Sequence, residues 1–265
     1  MLQWMDALDP WENVTDLGRL LLELPVEPRA GKMLLTATVL HCLDPVLTIV
    51  CCLSHRDPFL LPAEPNEKKI AAARKLELAA GTLSDHMAML RAFNLWLAAR
   101  ANGNNWLKYS FFLCNSRVYS NFIILIGKEK EFCHRHFLSS ATMDIIHQLR
   151  IQILDQLRKS GFVRSFQELN TNASSWVAIK ACILSGLYPQ VARGCRSGKL
   201  TTRREASVRL HMTSALLGEN GHTSQRKAIA QLPSEWMVYE EISRQVSSRH
   251  LKKYVRNRIL ILTFF

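Results

Sequence analysis

Two places in the chain join glycine to lysine as a phosphate cradle does, and spacing decides both. A P-loop needs Gly, four residues, then Gly-Lys and a Ser or Thr, so that backbone N–H groups wrap the phosphate and the hydroxyl reaches magnesium. For Gly31-Lys32 the required upstream glycine is Val26, and the required hydroxyl is Met33. In Gly194-Cys195-Arg196-Ser197-Gly198-Lys199-Leu200 the glycines stand one residue too close, and Leu200 replaces the hydroxyl. Neither can hold a nucleotide. Cys133-His134-Arg135-His136 collects zinc-ligand types, but a tetrahedral site needs a second pair that this short cluster lacks, so a surface helix is expected there. G-x-S-x-G, G-x-G-x-x-G and H-E-x-x-H are absent. The glycosylation-type triplets at Asn13 and Asn172 carry no weight, because the first residues contain no basic n-region or cleavage site. The residues predict no catalytic group, no metal site and no cofactor in this chain.

Charge is what remains distinctive. The 265 residues carry a net +12, yet residues 1–66 sum to −5 and residues 67–265 to +17. A basic surface attracts phosphate backbones by releasing their counterions, so the gradient points to a polyanion met by the second part of the chain. With 48% hydrophobic and 21% charged positions the chain can bury a core, and its length suggests about two domains. Seven cysteines without a C-x-x-C pair fit reduced thiols rather than a disulfide framework.

The elements that must carry this charge are mainly helical. The apolar run 34–53 has the length of a membrane span, but His41, Asp44 and Pro45 interrupt it, which predicts two short helices with Asp44 capping the second. A charged, alanine-rich helix is expected over 66–80 and ends at Gly81; the next starts at Ser84 and reaches about residue 101. On a helical wheel Met89, Leu90, Phe93, Trp96 and Leu97 share an apolar face with His86, a core histidine, while Ser84, Arg91 and Asn94 form a polar stripe. Further helices are expected over 141–159, with Gly161 as the stop, and from the turn at 170–174 to Gly186. Period-two alternation over 207–212 and in parts of 236–242 then predicts short strands with basic outward positions.

Several spaced blocks occur in one order: Leu24-Pro25-Val26-Glu27-Pro28-Arg29 with Gly31-Lys32-Met33-Leu34, Cys42-Leu43-Asp44-Pro45, Arg56-Asp57-Pro58-Phe59, and Ser84-Asp85-His86 with Leu90-Arg91-Ala92-Phe93 and Trp96. Phe132-Cys133, Phe137-Leu138-Ser139, Gly186-Leu187-Tyr188-Pro189, Leu232-Pro233 and Trp236 with Val238-Tyr239-Glu240-Glu241 continue the series. Together they resemble the C-terminal accessory region of the DEAH/RHA-type RNA helicases. The resemblance implies a mainly α fold with a small β part: a winged-helix remnant over 1–28, a helical-bundle ratchet domain over 29–162, and an incomplete OB-like barrel over 163–265. Two stretches depart from the family pattern, the apolar insert 107–128 and everything after residue 244.

The resemblance also implies single-stranded RNA as partner, motor domains in cis in a full-length parent, and ATP with Mg in that parent. These residues contain neither the motor P-loop nor a DEAH box, so the chain alone is expected to be inactive as an ATPase. The alternative is a motor-less adaptor that meets RNA or a protein partner. A cytoplasmic location is expected, or a nuclear one, with no membrane association. The helix bordering the RNA channel in the family matches the one carrying Ser84, Arg91 and Asn94, which are the first expected RNA contacts. From the OB-like part Lys180, Arg193, Arg203, Arg204 and Arg209 are added, since basic side chains on alternating strand positions can follow a backbone without reading its sequence.

Overall fold

Proline lies in the first turn of two early helices. Pro28 takes the first position of its helix, where the N–H it lacks would have had no partner, and Pro45 lies in the first turn of the next. The computed structural model describes residues 1–79, 81–100, 128–195, 197–211, 213–217, 225–230, 232–247 and 250–261, with backbone alone from residue 244. In chain order the described helices are α1 (Asp16–Leu22), α2 (Pro28–Val39), α3 (Leu43–Leu53), α4 (Pro65–Ala79), α5 (Asp85–Arg100), α6 (Glu129–Arg135), α7 (Ser140–Lys159), α8 (Trp176–Leu187) and α9 (Gln225–Ala230). The strands are β1 (Val191–Gly194), β2 (Leu200–Thr202), β3 (Arg209–Leu210), β4 (Trp236–Ser247) and β5 (His250–Ile261). The fold is mainly α with a small β part, as expected. No helix among the described residues is long and apolar enough to cross a membrane.

The chain forms two compact units, each built from two separate segments. One comprises Met1–Pro58 and Ser140–Pro189. At its centre α2 lies against α8, with α3 beside both and α7 against α3. Met33, Leu34, Val46, Ile146, Leu157 and Ile183 are among its buried side chains. Gly31 is a packing residue: a Cβ there would meet Leu21 Cδ2 of α1 at 2.8 Å. Lys32 donates to the Met5 carbonyl oxygen at 2.8 Å, so this Gly-Lys pair docks the N-terminal turn Gln3–Met5 and α1 onto α2. The apolar run breaks where Asp44-Pro45 predicted, but Asp44 is not the cap. Cys42 holds that position, the Asp44 N–H donates to Asn170 Oδ1 at 2.7 Å, and the Asp44 carboxylate accepts from Arg150.

The other unit comprises Phe59–Ser139 and Gln190–Phe265. Here α4 packs on α5 and α5 on α6. Helix α5 is buried on nearly every side: from Asp85 to Ala99 only Arg91 is not fully enclosed. The five strands form one sheet in the order β2-β1-β4-β5-β3, and an isolated bridge between Leu200 and Val208 brings its two edges together. The result is a small barrel closed at one point, beside a strand, β3, of only two residues. Ala192, Leu200, Leu210, Leu217, Ile229 and Met237 fill it, and Leu83 from the turn before α5 packs against them. The P-loop look-alike is the tight turn between β1 and β2, closed by Cys195 N–H to the Lys199 carbonyl at 2.8 Å, with Gly198 at φ +79°.

A buried ion pair joins the helices of this unit to its barrel segment. Lys75 Nζ on α4 lies 3.0 Å from Asp85 Oδ1 in the first turn of α5, with both side chains enclosed. Ser214 Oγ donates to Asp85 Oδ2 at 3.0 Å, the Ala215 N–H donates to Oδ1 at 2.9 Å, and Lys75 also donates to the Thr213 carbonyl oxygen at 2.9 Å. The expected insert 107–128 lies outside the described residues apart from Lys128.

Candidate nucleic-acid interface

The eight expected contact residues separate by burial. Ser84 is 0% and Asn94 5% exposed, so neither stands on an open stripe. Ser84 is instead the N-cap of α5, its Oγ accepting the Met87 N–H at 3.4 Å. Arg91 is half-buried and donates to the Leu78 carbonyl oxygen at 3.2 Å, satisfying an end group of α4. A helical wheel sees one helix's own pattern and cannot see that neighbours cover α5 on its polar side as well. Lys180, in the other unit, is 6% exposed; burial lowers its pKa, and Nζ lies 5.9 Å from the Trp176 ring centre.

The remaining four lie on the barrel and are exposed: Arg193 on β1, Arg203 and Arg204 just after β2, and Arg209 on β3. Strand alternation explains Arg193 and Arg209, because their neighbours Ala192 and Leu210 point into the core, whereas the consecutive Arg203 and Arg204 are exposed in the bend that follows β2. Arg193 Nε and one terminal nitrogen donate to Glu235 Oε2 at 3.1 and 3.0 Å, and its guanidinium sits 5.7 Å from the Trp236 ring centre. Trp236 is 49% exposed. Sequence inspection took Trp236 only as part of a strand block. Its meeting with Arg193 depends on the antiparallel pairing of β1 with β4, which no local spacing reveals.

Among the described residues the Cys133–His136 cluster is not joined by others into a group of three or more ligand-type residues that could hold a metal. The surface-helix expectation holds for His134 and Arg135, which are exposed, but Cys133 and His136 face inward. His136 lies against Phe132, ring centres 4.6 Å apart, and its Nδ1 has no hydrogen-bond partner. Burial first, and then the charge of Arg74, bring its pKa down to about 4; Glu77 opposes this and Arg135 adds to it. The unfolded chain binds that proton near pH 6.5. The contribution to stability is therefore complete above about pH 6.5 and is lost as pH falls towards about 4. Between pH 7 and pH 5, urea unfolding of the parent chain should lose on the order of 2 kcal/mol that a His136→Phe variant keeps. Parallel pH dependence in both proteins would rule this out.

The second unit thus combines a small barrel that turns arginines outward with helices packed around the buried helix α5, a pairing of helical and barrel parts that defines its class. Residues 27–89 match the helicase associated domain (HA2), ratchet-like, and residues 179–261 match the oligonucleotide/oligosaccharide-binding (OB)-fold. The OB-fold match runs past Arg244 through the β4–β5 pair, a stretch that the sequence blocks left unmatched. The chain belongs to the DEAH/RHA-type RNA helicases, in the accessory region that carries these two domains. It is 40% identical over 196 residues to the ATP-dependent DNA/RNA helicase DHX36 of Homo sapiens, covering 72% of this chain and 17% of that protein. Over 261 residues it is 32% identical to the DExH-box ATP-dependent RNA helicase DExH6 of Arabidopsis thaliana, covering 95% and 18%. A third relative, DExH1 of Arabidopsis thaliana, is 33% identical over 246 residues, covering 91% and 21%. The chain thus spans about a fifth of the length of these relatives.

Proposed function

We propose that the chain is the RNA-gripping accessory module of an ATP-dependent DEAH-type RNA helicase, holding single-stranded RNA on the barrel while motor domains in the same polypeptide supply ATP hydrolysis with Mg. The observation that carries this reading is the set of exposed arginines, Arg203, Arg204 and Arg209, on an OB-fold barrel in the part of the chain with net charge +17. Such a surface contacts phosphates without selecting bases. The sequence blocks also resemble the YTH-domain-containing RNA helicase of this family. The thiols support a reducing compartment, and the cytoplasm is the one proposed.

The test is affinity for single-stranded RNA as a function of salt. Each lost phosphate contact should flatten the dependence of log K on log salt by roughly 0.7 on a single strand. The double variant Arg203→Ala/Arg204→Ala should therefore bind all sequences more weakly, with a slope shallower by about 1.4. Unchanged affinity and slope would remove the support for gripping at these residues and favour the motor-less adaptor.

A further inference from the structure

Arg193 is held on two sides. Its charge is met by the Glu235 carboxylate, through two nitrogens on one oxygen, and its guanidinium lies over the indole of Trp236. Arg193 and Trp236 are directly paired across β1 and β4, and Thr201 continues the same row on β2. Ala192 and Met237, the alternate positions, are buried at 2% and 1%. The row Thr201-Arg193-Trp236 thus faces outward from the barrel. A neutralised guanidinium makes a poor phosphate clamp, and a half-exposed tryptophan at a strand start covers no core of its own.

We infer that Trp236, steadied by Arg193 and Glu235, is a stacking platform for an unpaired nucleobase of single-stranded RNA. The inference rests on the RNA-binding reading above and gives the site a second component, base contact beside phosphate contact. Every base has a π-face, so the platform accepts any of them, and single-strand binders combine such stacking with a basic surface. Charge complementarity selects the occupant: the same unit exposes Arg203, Arg204 and Arg209, and a polyanion with free bases fits both features.

The two components differ in their response to salt and to loss of the bases. With a short oligoadenylate, Trp236→Ala should weaken binding about tenfold while leaving the salt slope unchanged. With an abasic ribose-phosphate oligomer of the same length it should bind like the parent chain, which also shows that the variant is folded. Trp236→Phe should keep most of the oligoadenylate affinity. Equal oligoadenylate affinity of Trp236→Ala and the parent chain, or an equal loss on the abasic oligomer, overturns the platform and leaves phosphate gripping intact. Failure of the parent chain to bind either oligomer overturns both.

Discussion

Asp85→Ala is expected to lower the unfolding free energy by ~3–5 kcal/mol, the usual cost of leaving one member of a buried ion pair alone. The carboxylate is 1% exposed and accepts from the side chain of Ser214 and the backbone of Ala215 while facing Lys75 at 3.0 Å. Removing it leaves an ammonium that is itself 6% exposed with the Thr213 carbonyl but without its counter-charge, and orphans two donors from the segment leading into the barrel core. Helix α5 also loses an acid in its first turn, where the N-terminal N–H groups favour negative charge. Urea unfolding of the parent and variant chains reads the difference. The double variant Lys75→Met/Asp85→Leu should recover much of the loss, because an apolar pair of similar volume needs no desolvation of charge. A single variant within 1 kcal/mol of the parent chain would show that this pair does not hold the segment.

Gly186→Ala should destabilise the first unit by about 2 kcal/mol, although alanine is the better helix former by ~1 kcal/mol. A Cβ at this position of α8 would stand 2.4 Å from the Arg29 carbonyl oxygen and 2.5 Å from Met33 Cγ. A side chain could rotate away, but the backbone oxygen of α2 cannot. The two helices would have to separate along the contact that organises the unit. Thermal or urea unfolding measures the result, and a variant more stable than the parent chain would mean that α2 and α8 have room for a methyl group.

Local punctuation was legible in the sequence, and long-range partners were not. Pro45 and Gly161 marked helix limits correctly, and the four-residue spacing of Asp155 and Lys159 on α7 brings their charges to 2.7 Å. The capping role given to Asp44 failed because the competing group, Asn170, arrives from 126 residues away. Ser84 and Asn94 looked solvated because polarity on a wheel is read as exposure, while the partners covering α5 come from distant segments. In the same way Asp85 was noted only as part of a block, since Ser214 and Ala215 lie 129 and 130 residues on. Arg193 and Arg209 were easier, because period two separates outward from inward residues without knowledge of the neighbours, whereas Arg203 and Arg204 owe their exposure to a bend rather than to alternation. Beyond residue 244 the charges in Leu251-Lys252-Lys253-Tyr254-Val255-Arg256 obscure that period, yet these residues pair regularly with β4. The Gly31-Lys32 spacing excluded a phosphate, but only the packing of Leu21 showed what the glycine is for.

The interleaving of the two units bears on how the chain is made. The first unit contains Met1–Pro58 but is completed only by Ser140–Pro189, with the 81 residues of 59–139 between them. At 5–20 residues per second, a ribosome takes roughly 4–16 s to cross that interval. Throughout it, the faces of α2 and α3 that α7 and α8 will cover stay open to water, a window in which nascent-chain chaperones would be needed. The region matched as HA2, residues 27–89, takes α2 and α3 from one unit and α4 from the other. Expressed by itself, it would correspond to no unit that the chain folds.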